Sequence, residues 1–195
     1  EEQERAVRPS GFLGVALALY GASLACYAGY LVRARAGWLR AAFWTAVAAF
    51  AGHTIALIRV AVEIGRSPSL NAYTSLAFFA WAVVLFALLL NLRYSIRLVG
   101  LFVVPIAAVA LGLTWALGRA FGAAAGLPAG AGNPPVYGFG LAAHASFSFL
   151  GYAGFALSFA AACMYLAQER QIHSHHPGAL FERLPALGML ERVVY

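Results

Sequence analysis

Lysine and aspartate are absent from this sequence of 195 residues: its 13 basic residues are all arginine and its 7 acidic residues all glutamate. Their absence removes the Walker phosphate loop, which needs a lysine, and the Ser/His/Asp triad. Neither an HExxH pair nor a GxSxG elbow is present. Charge of either sign is scarce, at 10% of residues. The 2 cysteines, Cys26 and Cys163, each sit inside an apolar run, with no CxxC and no Cys/His ligand spacing nearby. They read as small buried hydrophobes, which argues against a disulfide or a structural zinc.

What the chain has in abundance is apolar surface, with 63% hydrophobic residues and a mean hydropathy of +0.79. That is far from the balance of an ordinary soluble domain and places the chain in a lipid bilayer. A net charge of +6 raises the question of nucleic acid, but the arginines are scattered through short connections between apolar runs, where they set membrane orientation instead. Nucleic acid is therefore set aside. No internal repeat or heptad run interrupts the pattern, so one compact bundle is expected.

A hydrocarbon core of ~30 Å takes ~20 apolar residues of helix. Segments 11–32, 41–64, 73–92, 98–118 and 141–168 meet that length, which predicts an all-α, polytopic membrane bundle of about five transmembrane helices. Ser10 can cap the first, Gly65-Arg66-Ser67-Pro68 breaks the chain after the second, and Asn71 can cap the third. Residues 1–10 form an outer segment, the bundle occupies 11–168, and 169–195 follow as a cytoplasmic tail. The longest connection, 119–140, is rich in Gly, Ala and Pro. An acidic stretch, Glu1 to Glu4, precedes the first apolar run where a cleavable signal would be basic, so that run is expected to be a mature helix. Arg33, Arg35 and Arg40 flank the first connection, Arg93 and Arg97 the third, and Arg170, Arg183 and Arg192 follow the last helix. This bias predicts an N-terminus outside and a C-terminus in the cytoplasm.

Polar groups inside a bilayer cost several kcal/mol unless paired or wet, so each is a functional candidate. His144 lies about one turn inside the outer end of the last helix, and Ser148, Gly151, Phe155 and Ser158 follow it on nearly the same helical face. Such a small, polar stripe suits a pocket. A neutral imidazole at its rim either ligates heme iron axially or bonds to a neighbouring helix. His53, in the outer half of the second helix, shares a side with Thr45, Ala49 and Ala56, with Gly52 adjacent, a face that permits close helix approach. The two histidines differ in depth by about 10 Å at the helical rise of ~1.5 Å per residue, which favours separate roles over one shared iron. Arg59 and Glu63, one helical turn apart, can pair structurally near the membrane edge. His173, His175 and His176 form a cluster in the tail that reads as solvated, with metal binding as the alternative. Trp38, Trp44, Trp81 and Trp115 belong either to interface belts or to a planar ligand's surroundings.

The run from His53-Thr54 through Arg59, Gly65-x-x-Pro68-x-x-Asn71-x-Tyr73-Thr74-Ser75, Phe78 and Trp81 resembles the CcsA/ResC and HemX group of cytochrome c assembly proteins. A second block adds Pro134-Pro135, His144, Gly151-Tyr152-Ala153, the exit Tyr165-Leu166-Ala167-Gln168-Glu169-Arg170 and Leu184-Pro185-Ala186-Leu187. Both blocks occur in the family's order, and together they cover roughly 38–195. Thr74 departs from the pattern, standing where the family usually carries Glu.

The resemblance implies a multi-pass protein of the bacterial inner membrane that holds heme b on its outer face for attachment to apocytochrome c. His144 matches the family's outer axial histidine, so that the resemblance makes it the metal ligand, and His53, Asn71, Tyr73, Trp81, Ser148, Gly151 and Tyr152 become the expected cofactor-binding set. The family's tryptophan-rich WWD segment and further histidines are expected after Tyr195. A second cytochrome c biogenesis membrane protein is the implied partner, alongside heme, apocytochrome c and the bilayer. No catalytic set is present in the chain itself, and any chemistry is expected within a holocytochrome c synthase (heme lyase) system. Two other readings stay open: a HemX-like accessory protein acting without bound heme, and a b-type cytochrome subunit using His53 and His144 for electron transfer.

Overall fold

The computed structural model describes residues 11–64, 72–94, 97–121 and 139–173, with side chains 63–64, 72–73 and 118–121 left aside. Five helices account for nearly all of them: α1 (Gly11–Arg33), α2 (Ala36–Ile64), α3 (Ala72–Tyr94), α4 (Val99–Phe121) and α5 (Phe139–His173). All five are long and apolar enough to cross a membrane. Among the described residues there is no strand. The expected caps Ser10 and Asn71, the Gly65–Pro68 break, most of the Gly/Pro-rich connection and most of the tail lie outside the described residues.

Helix ends depart from the hydropathy windows in an informative way. α2 starts at Ala36, not Ala41, and α5 continues to His173, beyond Gln168. Arg40 at one end and Glu169 and Arg170 at the other are good helix formers, and Trp38 fits the headgroup region, so the helix outlasts the apolar run. The connection between α1 and α2 is only two residues long. Ala34 makes it by adopting a left-handed φ of 54°, while its amide donates to the carbonyl of Tyr30 at 2.9 Å, the arrangement that ends many helices with a left-handed residue.

α1 packs chiefly on α2, α3 on α4 and on α5, and the α1–α4 contact joins the two groups. On α1 the buried face reads Leu13, Ala16, Tyr20, Ser23, Tyr27, steps of three and four that trace a single helical stripe. α3 is the central element: Ala80, Ala82, Val83 and Val84 point to different sides and are all buried. Alanine supplies about half of the buried hydrophobic residues among those described. With no lipid-excluding force between helices inside a membrane, such small side chains let backbones approach closely enough for dispersion to hold them. Hydroxyls in the interior are bonded: Ser23 donates to the carbonyl of Ala42 at 2.8 Å across the α1–α2 seam, and Thr114 to Ala110 one turn back at 3.0 Å. At Gly100 the ring of Tyr27 occupies the space a β-carbon would need.

Candidate functional site

His53 is fully buried, with 0% of its surface exposed. The residues around it on α2, Ala49 and Ala56, are methyl-sized and also buried, which is why an imidazole fits between helices there. Tyr20 of α1 meets it edge-on, ring centroids 6.1 Å apart at 78°, with the phenol oxygen 3.5 Å from Nδ1. That separation is at the limit of a hydrogen bond. On the other side of the ring, Nε2 is enclosed and makes no hydrogen bond of good geometry, although the Ala77 backbone of α3 lies against the imidazole. A ring nitrogen enclosed in this way is a polar group that the helices themselves leave poorly satisfied.

His144 is placed in the opposite way. It is exposed on α5, and Ser148 donates its hydroxyl to the His144 backbone carbonyl at 2.8 Å. Gly151, Phe155 and Ser158 are exposed on the same side, and Ser148 is half-buried. The stripe that helical periodicity assembles therefore turns away from the other four helices. The buried face of α5 consists instead of Ala153, Ala160, Ala161, Met164 and Gln168. From Phe139 to Tyr152 no residue of α5 is fully buried, so the first part of this helix packs only partly on the bundle. Nothing lies within 4 Å of where a β-carbon at Gly151 would project, and Tyr152 beside it is 57% exposed.

Between the helices that carry the two histidines runs a continuous set of aromatic rings. Trp81 of α3 stacks on Phe50 of α2 (5.6 Å, 18°) and on Phe78 one turn back (5.7 Å, 27°). Phe78 meets Phe149 of α5 edge-on at 6.3 Å, and Phe149 meets Tyr152 at 6.1 Å. Trp81 also donates its indole N–H to Thr54 Oγ1 at 2.8 Å, while the Thr54 hydroxyl donates to the Phe50 carbonyl at 2.8 Å. The helix of His53 and the helix of His144 are thus linked through α3 by rings and one hydrogen bond. Sequence reading singled out Trp81 and Tyr152; Tyr20, Phe50 and Phe149 escaped it, because in a chain with 14 phenylalanines and 9 tyrosines no spacing marks them.

The remaining candidates fall into place around these. Asn71 lies outside the described residues, as does the side chain of Tyr73. Thr74, at the position where the resembling family has Glu, is buried against the bundle, an environment that suits a hydroxyl better than a carboxylate. Arg59 stacks over Phe12 of α1 at 4.8 Å, and the side chain of Glu63, its expected partner, is outside the described residues. His173 lies 3.2 Å from the carbonyl of Glu169, while His175 and His176 are outside; among the described residues no group of three metal-ligating side chains occurs.

Five spans with an imidazole enclosed in the interior and another on an open face define a polytopic helical membrane protein. Residues 69–195 match the family described as cytochrome C assembly protein. The matched stretch is well over half of the chain, and the chain belongs to that family, whose work is cytochrome c biogenesis. It includes Asn71, Trp81, His144 and Tyr152 and begins after His53. No curated protein and no solved structure matches the chain.

Proposed function

We propose that this chain takes part in cytochrome c biogenesis by binding heme b noncovalently and holding it toward the outer face of a bacterial inner membrane, where apocytochrome c receives it. The observation that carries this reading is the exposed imidazole of His144 at the head of an open face, with clear space at Gly151 and an aromatic edge at Tyr152. His144 is the axial ligand, and Ser148, Gly151 and Tyr152 form the surface on which a flat macrocycle rests. Small residues give a planar group room, and an aromatic ring packs against its plane. His53, through its enclosed Nε2, is a second ligand candidate of separate function, with Trp81 fixing the α2–α3 seam beside it; Asn71 and Tyr73 are carried by the family pattern. Heme supplies an iron centre and vinyl groups for thioether attachment; these side chains bind and orient it. The N-terminus is then outside and the C-terminus cytoplasmic, and a second biogenesis membrane protein completes the site.

The test is heme copurifying with the full-length protein. His144→Ala lowers occupancy and shifts the Soret band while helical content stays the same, and added imidazole restores the spectrum. Unchanged occupancy and spectrum in His144→Ala would sink the proposal. A second reading is favoured by the large apolar side chains exposed along α5, among them Phe147, Phe155 and Phe159: a HemX-like accessory protein acting through contact with a partner. It requires normal partner binding with both His53 and His144 replaced.

A further inference from the structure

Successive spans bring the ends of α1, α3 and α5 and the starts of α2 and α4 to one edge of the membrane. Among the described residues that edge holds Arg33, Arg35, Arg40, Arg93, Arg97 and Arg170 against the single carboxylate of Glu169. None of these arginines is ion-paired among the described residues. Three of them rest over aromatic rings: Arg33 over Trp38, Arg93 over Tyr94 and Arg97 over Phe43. A rim of uncompensated guanidinium groups at headgroup depth attracts anionic lipid.

One of these arginines, Arg97, opens onto a recess. Arg97 is exposed just before α4, and Phe43, Val84, Leu88 and Val103 line a small, open apolar recess beside it. The backbone of Arg97 is pinned there, because Tyr27 donates its hydroxyl to the Arg97 carbonyl at 3.0 Å. Asn91, also in the lining, has its Oδ1 enclosed with no hydrogen-bond partner. The hollow thus combines an apolar wall, a cation with a free fork of donors and an acceptor in want of a donor. The amino end of α4 at Val99 borders it and adds partial positive charge.

We infer that this recess is a binding site for a phosphatidylglycerol-type lipid: Arg97 takes the phosphate, Asn91 accepts from a headgroup hydroxyl, and the first carbons of an acyl chain lie on Phe43, Val84, Leu88 and Val103. A phosphocholine headgroup has the phosphate but no hydroxyl or ammonium hydrogen to offer Asn91. The inference is independent of heme and of the face of α5.

The experiment is native mass spectrometry of the full chain released from nanodiscs holding equal amounts of phosphatidylglycerol and phosphatidylcholine of matched chains. Phosphatidylglycerol is retained preferentially, and Arg97→Gln weakens that retention about tenfold, as expected for one charge-assisted contact. Arg93→Gln removes the same charge from the same edge but at a residue outside the lining of this recess, and it leaves retention near the wild-type level. Asn91→Leu keeps the apolar wall and reduces the preference for phosphatidylglycerol over phosphatidylcholine, which has no headgroup hydroxyl. Equal losses in Arg93→Gln and Arg97→Gln, or retention of both lipids alike by the unaltered chain, would overturn the site in favour of diffuse charge attraction. Circular dichroism of each variant in the same nanodiscs separates loss of lipid from loss of fold.

Discussion

Trp81 on α3 donates its indole hydrogen to Thr54 on α2 across 2.8 Å, at a seam where its ring also stacks on Phe50. The α2–α3 contact is thin compared with the α1–α2 and α3–α4 contacts, so this pair is a main tie across that seam. Trp81→Phe preserves a ring for stacking and removes the hydrogen bond. A loss of about 1 kcal/mol is expected, the usual worth of an interhelical hydrogen bond in a membrane. Trp81→Ala also leaves a cavity and costs ~3–5 kcal/mol. Unfolding by SDS titration measures both; no loss in Trp81→Phe would show that the hydrogen bond carries nothing.

His53 is expected to stabilise a bound ligand and not the empty fold. Its Nε2 is enclosed and makes no hydrogen bond of good geometry, and its contact to Tyr20 is long. Replacing a poorly satisfied buried polar group by an apolar one of similar size is nearly neutral or stabilising. His53→Leu without heme should therefore unfold at the same SDS fraction as the unaltered chain or higher. A loss of ~2 kcal/mol or more in that variant would mean that the imidazole is fully bonded.

Gly100 and Gly52 should respond oppositely to alanine. A β-carbon at Gly100 meets the ring and hydroxyl of Tyr27, whereas at Gly52 nothing lies within 4 Å. Gly100→Ala displaces Tyr27 from the Arg97 carbonyl and costs ~1–3 kcal/mol, the range for overpacking. Gly52→Ala is neutral, or stabilising by up to ~1 kcal/mol through helix propensity. Thermal denaturation of the two variants side by side decides it, and a matching decrease in both would contradict the packing of Tyr27.

At Gly151 stability and ligand uptake should separate. The position is exposed and open, so Gly151→Leu leaves unfolding within ~0.5 kcal/mol of the unaltered chain, as for most surface changes. The same side chain would stand where a macrocycle is proposed to rest, and heme titration should then fall at least tenfold, which is ~1.4 kcal/mol of binding. Full heme uptake by Gly151→Leu would remove that face from the site.

The spans were legible because length and hydropathy alone decide whether a helix can cross a bilayer, and all five segments are present. The faces were not. A helix that is apolar all round carries no period by which to tell core from lipid, so Ala82, Val83 and Val84, all buried, look no different in sequence from Val109 or Leu113, which are exposed. The stripe of His144, Ser148 and Gly151 followed from helical spacing, yet spacing fixes only which residues share a side, and that side turned out to face away from the bundle. His53 was legible as an anomaly in an apolar run. Its neighbour Tyr20 was not, since the two are 33 residues apart and belong to different helices.

The alanine-rich interior has a consequence for how the bundle comes together. An alanine has no rotamers to lose, so bringing two such faces into contact carries almost no side-chain entropy cost. By the same token it has no rotamers with which to adjust. A larger residue at Ala42, Ala49, Ala77 or Ala107 cannot be absorbed by repacking and acts as a spacer that holds two helices apart over several turns. Variation within this core is therefore confined in volume before it is confined in chemistry.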